Sequence, residues 1–382
     1  MPGAYIRGMG LSCALGETVE QCVSALERMQ VCPVTLTLDE FTEPLRIPYY
    51  RINDSKEPFD SSRYESLIPA VAHAAVIHAG LTSDEIHNLP VFIGSSCFTV
   101  GWSEQSYMNA LAKHPENALP MPLCGYQDIA DILQRGLGSQ GETYTYNTAC
   151  TASANALLGA MRMIELGLYR DALVVGVELI NRTSLAGFSG LQILAQTIQP
   201  FDQLRQGIVL GEGVGAIVLS AETDSVNHVR VLGGANNCDT WSMTTANTNG
   251  HSAAAVMIQA LKQARIRPRQ ICCIKAHGTA TRTGDMAEAC GLRQVFENLP
   301  PVTVLKPYLG HTLGACCVNE LVLFASALLH RFIPATPGFK TTDPELNIHP
   351  LTVEMPAQTG HYLLNHFGFA GNNTVLILEK TA

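Results

Sequence analysis

A strand followed by a helix recurs in both halves of this sequence, and that alternation constrains the fold more than any other feature. The first half has apolar strand runs at 5–10, 90–96, 172–177 and 215–219, with helical spacing from residue 19 and at 64–79. The second half repeats the order, with strands at 229–234, 271–276, 302–305 and 375–379 and helices at 252–264, 284–296 and 314–330. The alternation predicts two packed, mostly parallel sheets with helices between and outside them.

The two halves meet where the sequence turns polar, near residues 221–229, so we place the boundary between residues 1–224 and 225–382. A chain of 382 residues, 47% hydrophobic and 15% charged, can bury a large core, as a layered α/β protein does. The segment 38–60 is irregular and contains prolines. We expect it to be a loop or a dimer contact.

Composition excludes several classes of function. The net charge is −9 and no long Lys/Arg run occurs, which argues against nucleic acid and against an anionic membrane surface as partners. No apolar run approaches the roughly 20 residues of a membrane helix, and the first residues show no signal-peptide pattern. The twelve cysteines are scattered, with no CxxC pair, so we expect neither a metal site nor disulfides. The chain is predicted to be cytoplasmic.

Cys150 is the first candidate for chemistry. The segment 144–164 is typical of a strand that turns sharply into a helix, and that helix is apolar almost all round. Cys150 would occupy the helix N-terminus, where free N–H groups and the helix dipole favour a thiolate, an activated nucleophile. For a cysteine taken alone, a small buried core residue is the more common explanation.

Two histidine segments favour the catalytic interpretation. His277 lies in 275–288 and His311 in 306–315, each a few residues after an apolar strand and each beside glycine. Strand ends of this kind gather ligands at the edge of a sheet. Core packing does not need two such histidines together with a cysteine at a helix terminus, so the three predict an active site.

These segments, with three further motifs, resemble a known family. The further motifs are the opening Gly8-Met-Gly-Leu-Ser, the stretch 200–213, and the tail Asn365-His-Phe-Gly-Phe-Ala-Gly-Asn-Asn. Together they resemble the β-ketoacyl-acyl-carrier-protein synthases of the Cys-His-His type, condensing enzymes of the thiolase superfamily, over essentially the whole chain. The resemblance implies an α/β, thiolase-like five-layer αβαβα fold from two similar halves, the first carrying the nucleophile and the second the histidines.

The resemblance also implies a reaction, the decarboxylative condensation of acyl-S-Cys150 with a malonyl group on acyl carrier protein. The pathway would be fatty-acid, polyketide or aryl-polyene synthesis. Two neutral imidazoles, His277 and His311, would stabilise the enolate, and the backbone N–H groups of Cys150 and Phe369 would form an oxyanion hole. No cofactor of the chain's own is expected, since the phosphopantetheine arm belongs to the carrier protein.

Further site residues follow from the same resemblance. Lys306 would lie close to the histidines, paired with Glu288. Asp285 is ambiguous, because an acidic residue at that position equally suits a helix N-terminus. The substrate-binding positions would be Thr279 and Thr281 for the pantetheine arm, Phe369 as a gate between the half-reactions, and Cys97 as a pocket residue that limits chain length.

The chain departs from the family pattern at several positions. Ala370 replaces a glycine beside Phe369, which restricts the backbone of that loop. His366 stands where serine is usual. The sequence therefore does not decide whether this chain keeps the family's monovalent cation site around Glu320. The segment 53–63, where members often carry a basic cluster for carrier docking, is nearly neutral.

Three other functions agree less well with the sequence. A chain-length-factor-like subunit would shape a partner's pocket, but such subunits generally lack the nucleophile that Cys150 provides. A thiolase using coenzyme A would need a second catalytic cysteine near the C-terminus, and the last cysteine is Cys317. A cysteine hydrolase has less use for two histidines and a lysine.

The segment before the nucleophile predicts an assembly. Residues 142–147 alternate tyrosine and threonine, which suits an edge strand that pairs across a two-fold axis. An exposed edge invites aggregation, so we expect it to be buried in a dimer. The partner would be a second copy or a homologous ketosynthase or chain-length-factor subunit.

Overall fold

Ten strands form the framework of the chain, which is known from a computed structural model that describes residues 3–39, 44–113, 125–223 and 226–381. The strands of the first half are β1 (Ala4–Cys13), β2 (Val34–Leu38), β3 (Leu45–Tyr49), β4 (Val91–Gly94), β5 (Thr143–Tyr146), β6 (Asp171–Glu178) and β7 (Gly213–Ser220). Its helices are α1 (Val19–Glu27), α2 (Ser62–His78), α3 (Ser83–His87), α4 (Val100–Lys113), α5 (Gln127–Leu137), α6 (Ala152–Glu165) and α7 (Arg182–Gly190). Of the first-half strands, β2 and β3 form a separate pair, and the other five belong to the ten-stranded framework.

The second half repeats the pattern. Its strands are β8 (Val229–Cys238), β9 (Ile271–Lys275), β10 (Val302–Thr303), β11 (Phe332–Ile333), β12 (Met355–Pro356), β13 (Gly360–Phe367) and β14 (Asn372–Lys380). Its helices are α8 (His251–Ala264), α9 (Arg282–Val295), α10 (Lys306–Leu309) and α11 (Cys316–Leu329). The small β11–β12 pair lies outside the main sheet.

The two halves have the same strand order. Outward from their junction, the first runs β1-β7-β6-β4-β5 and the second β8-β14-β13-β9-β10. In each, only the last strand of the half runs against the other four, so the prediction of mostly parallel sheets is confirmed. The halves join where β1 pairs with β8, at Ala4 with Val231 and Tyr5 with Arg230.

Helices fill three layers around these sheets. α6 and α11 lie in the middle and contact strands of both halves. α2 and α5 cover the outer face of the first sheet, and α8 with α9 covers that of the second. The middle helices are almost wholly buried, as expected of helices that are apolar all round. The predicted five-layer α/β arrangement is therefore present.

Some elements were not predicted. The segment 38–60 was expected to be irregular, but it contains β3, which pairs antiparallel with β2. The helices α4, α5 and α7 and the strand β13 were also missed. α7 is rich in glycine, serine and threonine, which are weak helix formers, and its sequence therefore gives little helical signal. In β13 the buried polar residues Asn365 and His366 interrupt the apolar run.

The predicted edge strand at 142–147 is present as β5. It is the last strand of the first sheet and pairs with β4 alone among the described residues. Tyr144 stacks on Phe92 with ring centroids 4.6 Å apart. The dimer that this edge predicts stays a prediction at this point.

Two sequence-based expectations concern the whole chain. The first sheet ends at Ser220 and the second begins at Val229, so the predicted boundary at 224/225 lies in this connection, whose residues 224–225 are outside the described part. The division into two domains stays a prediction. Among the described helices, none is long and apolar enough to cross a membrane.

Candidate active site

Cys150 lies on a tight turn between β5 and α6. Ala149, the residue before it, has a φ of 52°, in the left-handed region that residues with a side chain adopt at a cost. The turn is closed by Ala152 N–H donating to Ala149 O at 3.0 Å and by Thr151 Oγ1 donating to Thr148 O at 2.7 Å. α6 begins two residues after Cys150, as predicted, and the strained turn fixes where the sulfur lies.

The protonation of Cys150 differs from the expectation. Burial raises the pKa of the thiol to about 11, although the Phe369 backbone N–H and the Lys306 charge both lower it. The prediction that the helix N-terminus makes Cys150 a thiolate is therefore wrong for the resting protein. Sequence indicates the helix terminus but not the depth of burial, and here burial has the larger effect.

His277 and His311 lie edge to face, with ring centroids 5.5 Å apart. Lys306 Nζ donates to Nδ1 of His277 at 3.2 Å, and Leu313 N–H donates to Nδ1 of His311 at 3.2 Å. Because each Nδ1 accepts a hydrogen bond, the ring proton resides on Nε2 in both. Burial and the Lys306 charge lower the pKa of both imidazoles well below its usual value. Both rings are therefore neutral N–H donors.

Glu320 lies at the centre of a buried ion network behind the histidines. Lys306 Nζ donates to Glu320 Oε1 at 2.7 Å, and Lys275 Nζ donates to the other carboxylate oxygen. Burial would raise the pKa of Glu320, but the two lysines hold it below its usual value. The predicted pairing of Lys306 with Glu288 is wrong, because α11 brings Glu320 to the ammonium group while Glu288 binds other donors.

Glu288 instead holds the backbone of the His277 turn. Its Oε1 accepts from His277 N–H at 2.8 Å and from Asn365 Nδ2 at 2.9 Å, and its Oε2 accepts from Gly278 N–H at 2.9 Å. Burial raises the pKa of this carboxyl. Glu288 thus joins the ends of β9 and β13 and fixes the direction in which His277 leaves the sheet.

Asp285 is also a backbone acceptor. It is fully buried in the first turn of α9, where it accepts from Phe201 N–H at 2.7 Å and from Ala280 N–H at 3.0 Å. Burial raises the pKa of Asp285 to about 7. Its carboxyl does not line the cavity around Cys150, and its contacts are those of a residue that holds the turn before α9.

One cavity brings most of the predicted site residues together. They are Cys150, His277, His311, Thr279, Thr281 and Phe369. Thr279 and Thr281 bring their hydroxyl oxygens within 2.9 Å of each other at the cavity wall. Thr281 is in addition the N-cap of α9, where its oxygen accepts from Gly284 N–H at 3.2 Å.

Phe369 lies in the loop after β13 and stacks on Phe188 of α7, with centroids 5.5 Å apart and planes at 16°. Ala370, which follows, has a φ of 57°, the left-handed conformation that glycine adopts more readily. Its N–H donates to Met243 O at 2.7 Å. The loop is therefore strained at Ala370 and hydrogen-bonded to the segment 239–246, which also lines the cavity.

Comparison with known proteins identifies the family of this arrangement. Residues 55–225 match the N-terminal domain of the β-ketoacyl synthases, and residues 228–340 match their C-terminal domain. The chain belongs to the β-ketoacyl synthase family. It is therefore an enzyme of the acyltransferase type that carries out condensations, as predicted.

Individual relatives are similar to this chain over almost its whole length. A 3-oxoacyl-(acyl-carrier-protein) synthase 2 from Mycobacterium bovis is 28% identical over 406 aligned positions, covering 99% of this chain and 97% of that protein. A ketosynthase in complex with its chain length factor, from Xenorhabdus doucetiae, has a TM-score of 0.82 at 27% identity, covering 100% and 98% of the two chains. A β-ketoacyl synthase from Burkholderia phymatum has a TM-score of 0.84 at 25% identity and full coverage of both chains. The predicted thiolase-like ketosynthase fold is confirmed.

Cys97 is the predicted substrate-binding residue that does not line the cavity around Cys150. Its Sγ lies 3.1 Å from Ser184 Oγ of α7, and its N–H donates to Glu178 Oε1 at 3.1 Å. Glu178 also accepts from Ser96 and Gly314. Cys97 is thus tied to a buried carboxylate outside the lining of the cavity around Cys150, and its role in limiting chain length stays a prediction.

Several residues of the site were missed from sequence. Lys275 and Glu320 were not assigned to the ion network, although a glutamate in the largely apolar α11 needs a buried cationic partner. Phe188 and the segment 239–246 gave no sequence signal. Their place in the cavity depends on how the loops of the two halves meet.

The site also contains a group of soft metal ligands. The ligand atoms of His277, Cys316 and His366 lie within 4.8 Å of one another, all buried. The charges of Lys275 and Lys306 act on all three groups and would repel a divalent cation. The residues therefore do not favour a metal here, and its absence stays a prediction.

The monovalent cation site left open by the sequence can be tested on the same contacts. Around Glu320, the position that faces the carbonyl oxygen of Asn365 contains the ammonium group of Lys275, which donates to both. A second cation at that position would face the lysine charge at contact distance. The residues present do not fit a bound monovalent cation.

Proposed function

We propose that the chain is a 3-oxoacyl-(acyl-carrier-protein) synthase that condenses an acyl group on Cys150 with a malonyl group on acyl carrier protein. One observation carries the proposal. Two neutral imidazoles, each with its proton on Nε2, line the same cavity as a nucleophilic cysteine. Such donors suit an oxygen that becomes negatively charged, and they require no proton transfer to act.

The first step is acyl transfer. The sulfur of Cys150 attacks the carrier thioester, the bond between the acyl carbon and the carrier sulfur breaks, and the thiol proton passes to the departing carrier. The backbone N–H groups of Phe369 and Cys150 lower the pKa of the Cys150 thiol. This effect supports the proposal that the same two groups stabilise the oxyanion of the acyl-transfer step.

The second step is decarboxylative condensation. The malonyl thioester loses CO2, and the electron pair of the broken C–C bond forms an enolate whose oxygen accepts from His277 and His311. The enolate carbon attacks the acyl carbon on Cys150, the bond between that carbon and the sulfur breaks, and the sulfur leaves as a thiolate that takes up a proton from solvent. Lys306, hydrogen-bonded to His277, is a positioning residue that holds this ring in its tautomer.

The partners in this proposal are acyl carrier protein and a second ketosynthase-type subunit. The names of the relatives support both, since one is a carrier-protein synthase and another is bound to a chain length factor. The edge strand β5 offers the pairing surface. A cytoplasmic location is consistent with the described cysteines, all of which are free thiols.

Mass spectrometry of the purified enzyme with a panel of acyl carrier proteins tests the proposal. We expect an acyl adduct on the Cys150 peptide, followed by CO2 release and a 3-oxoacyl product when malonyl carrier is added. Cys32→Ala, at an exposed cysteine, is the matched control and should load normally. A chain that is never acylated, yet increases product formation by a co-purified homologue, would instead be a chain-length-factor-like subunit.

A further inference from the structure

Lys275 is a buried charge that the reaction steps above do not use. It is the last residue of β9, its side chain is 0% exposed, and it lies two positions before His277. Its ammonium group donates to a carboxylate oxygen of Glu320 and to the main-chain oxygen of Asn365, the latter at 3.0 Å. A lysine buried to this degree is rare and needs a specific reason.

The contacts of this ammonium group are those of a small cation. A carboxylate and a main-chain carbonyl are the oxygen ligands that a monovalent ion such as K⁺ uses in proteins. The charge is needed as well. Glu320 faces two lysines, and without Lys275 it would depend on Lys306 alone, the same ammonium group that holds Nδ1 of His277.

The same contacts connect three elements behind the cavity. Glu320 belongs to α11, Lys275 ends β9 just before the His277 turn, and Asn365 lies in β13, four residues before Phe369. The side-chain amide of Asn365 is already bound to Glu288, which holds the His277 turn. Lys275 therefore closes a ring of contacts around the bases of the two loops that line the cavity.

We propose that Lys275 is a positioning residue that acts as a built-in monovalent cation, keeping Glu320 shared between two lysines so that Lys306 remains on His277. The inference rests on the proposed condensation, because His277 is assigned there to the enolate. The proposed role of Lys275 has two consequences. The native enzyme needs no bound monovalent ion, and a variant without the ammonium group should gain such a need.

Lys275→Ala tests the proposal, because it empties the space beside Glu320 and Asn365. In choline chloride we expect condensation to fall about 10- to 100-fold, as for other residues that orient a catalytic ligand, while acyl loading of Cys150 changes little. KCl or NH4Cl at equal ionic strength should restore much of the lost rate and raise the melting temperature of the variant. The wild type and the exposed-residue control Lys262→Ala should respond to neither salt.

Three results would overturn the proposal. They are a wild type that requires K⁺, a Lys275→Ala variant as active as wild type in choline chloride, and a variant whose rate and melting temperature ignore K⁺ and NH4⁺. If Lys275→Ala does not fold, Lys275→Gln replaces it, and the wild-type salt comparison decides by itself whether a free ion is needed. If no carrier supports condensation even by wild type, the proposed function fails, but the melting temperatures still test the cation.

Discussion

The two halves of the chain share one strand order but supply different chemistry to one cavity. The first half contributes a single reactive atom, the Cys150 sulfur, on a strained turn next to a buried helix. The second half contributes the titratable groups, with His277 and His311 backed by Lys306 and Glu320. The same framework therefore carries the proposed nucleophile in one half and a charge network in the other, because these residues lie on turns and helices outside the strands.

The comparison implies that the halves can be disabled separately. Removing the nucleophile should stop acylation without disturbing the network, and weakening the network should leave the sulfur in place.

Cys150→Ala should abolish acyl loading and product formation. Only one small buried side chain is lost, so the free energy of unfolding should fall by no more than about 1 to 2 kcal/mol. Intact-mass analysis after incubation with acyl carrier protein, together with chemical denaturation, measures both. Wild-type product formation by this variant would show that the nucleophile is another residue.

Glu320→Gln should break the network of the second half. Two fully buried ammonium groups lose their shared anion, and leaving a buried charge unpaired costs about 3 to 5 kcal/mol of unfolding free energy. Denaturant unfolding compares the variant with wild type, and Glu27→Gln on the exposed side of α1 is the matched control. A stability equal to that of the control would mean that the two lysines do not depend on Glu320.

The reactivity of Cys150 should depend on pH in a way that separates burial from the helix terminus. Burial raises the pKa to about 11. Only the thiolate reacts with iodoacetamide, so alkylation should increase about tenfold per pH unit from pH 7 to 10. Peptide mass spectrometry follows the Cys150 peptide, with the exposed Cys32 as an internal reference. An alkylation rate that does not change with pH above pH 7 would contradict the raised pKa and support the thiolate expected from the helix terminus.

The smallest effect concerns the paired threonines of the cavity wall. Thr281→Val removes the N-cap of α9 and should cost about 1 kcal/mol of stability, whereas Thr279→Val removes no cap. Both should raise the KM for carrier substrate if the hydroxyl groups bind the pantetheine arm. Thermal melts and steady-state kinetics give the two readouts. Equal stability losses, or an unchanged KM in both variants, would contradict the respective assignment.

Some of the features on which these predictions depend could be predicted from the sequence, and others could not. The five-layer fold and the positions of Cys150, His277 and His311 could be predicted, because local apolar periodicity and motif order carry them. The pairing of Lys306 with Glu320 could not, since it depends on how α11 packs against a distant strand. The direction of the pKa shift of Cys150 could not be predicted either, because it is set by the burial of the thiol in the folded chain.

The division of labour between the halves is tested most directly by loading first and condensing second. His311→Ala and His277→Ala should still form acyl-Cys150, but when malonyl carrier is added to the loaded enzymes, CO2 release and condensation should fall about 100- to 1000-fold, as for the loss of one oxyanion donor. Rapid-quench measurement of the acyl-enzyme and of CO2 in the same samples gives both rates. Variants that condense at the wild-type rate, or that lose acylation as completely as Cys150→Ala does, would contradict the assignment of these histidines to the enolate.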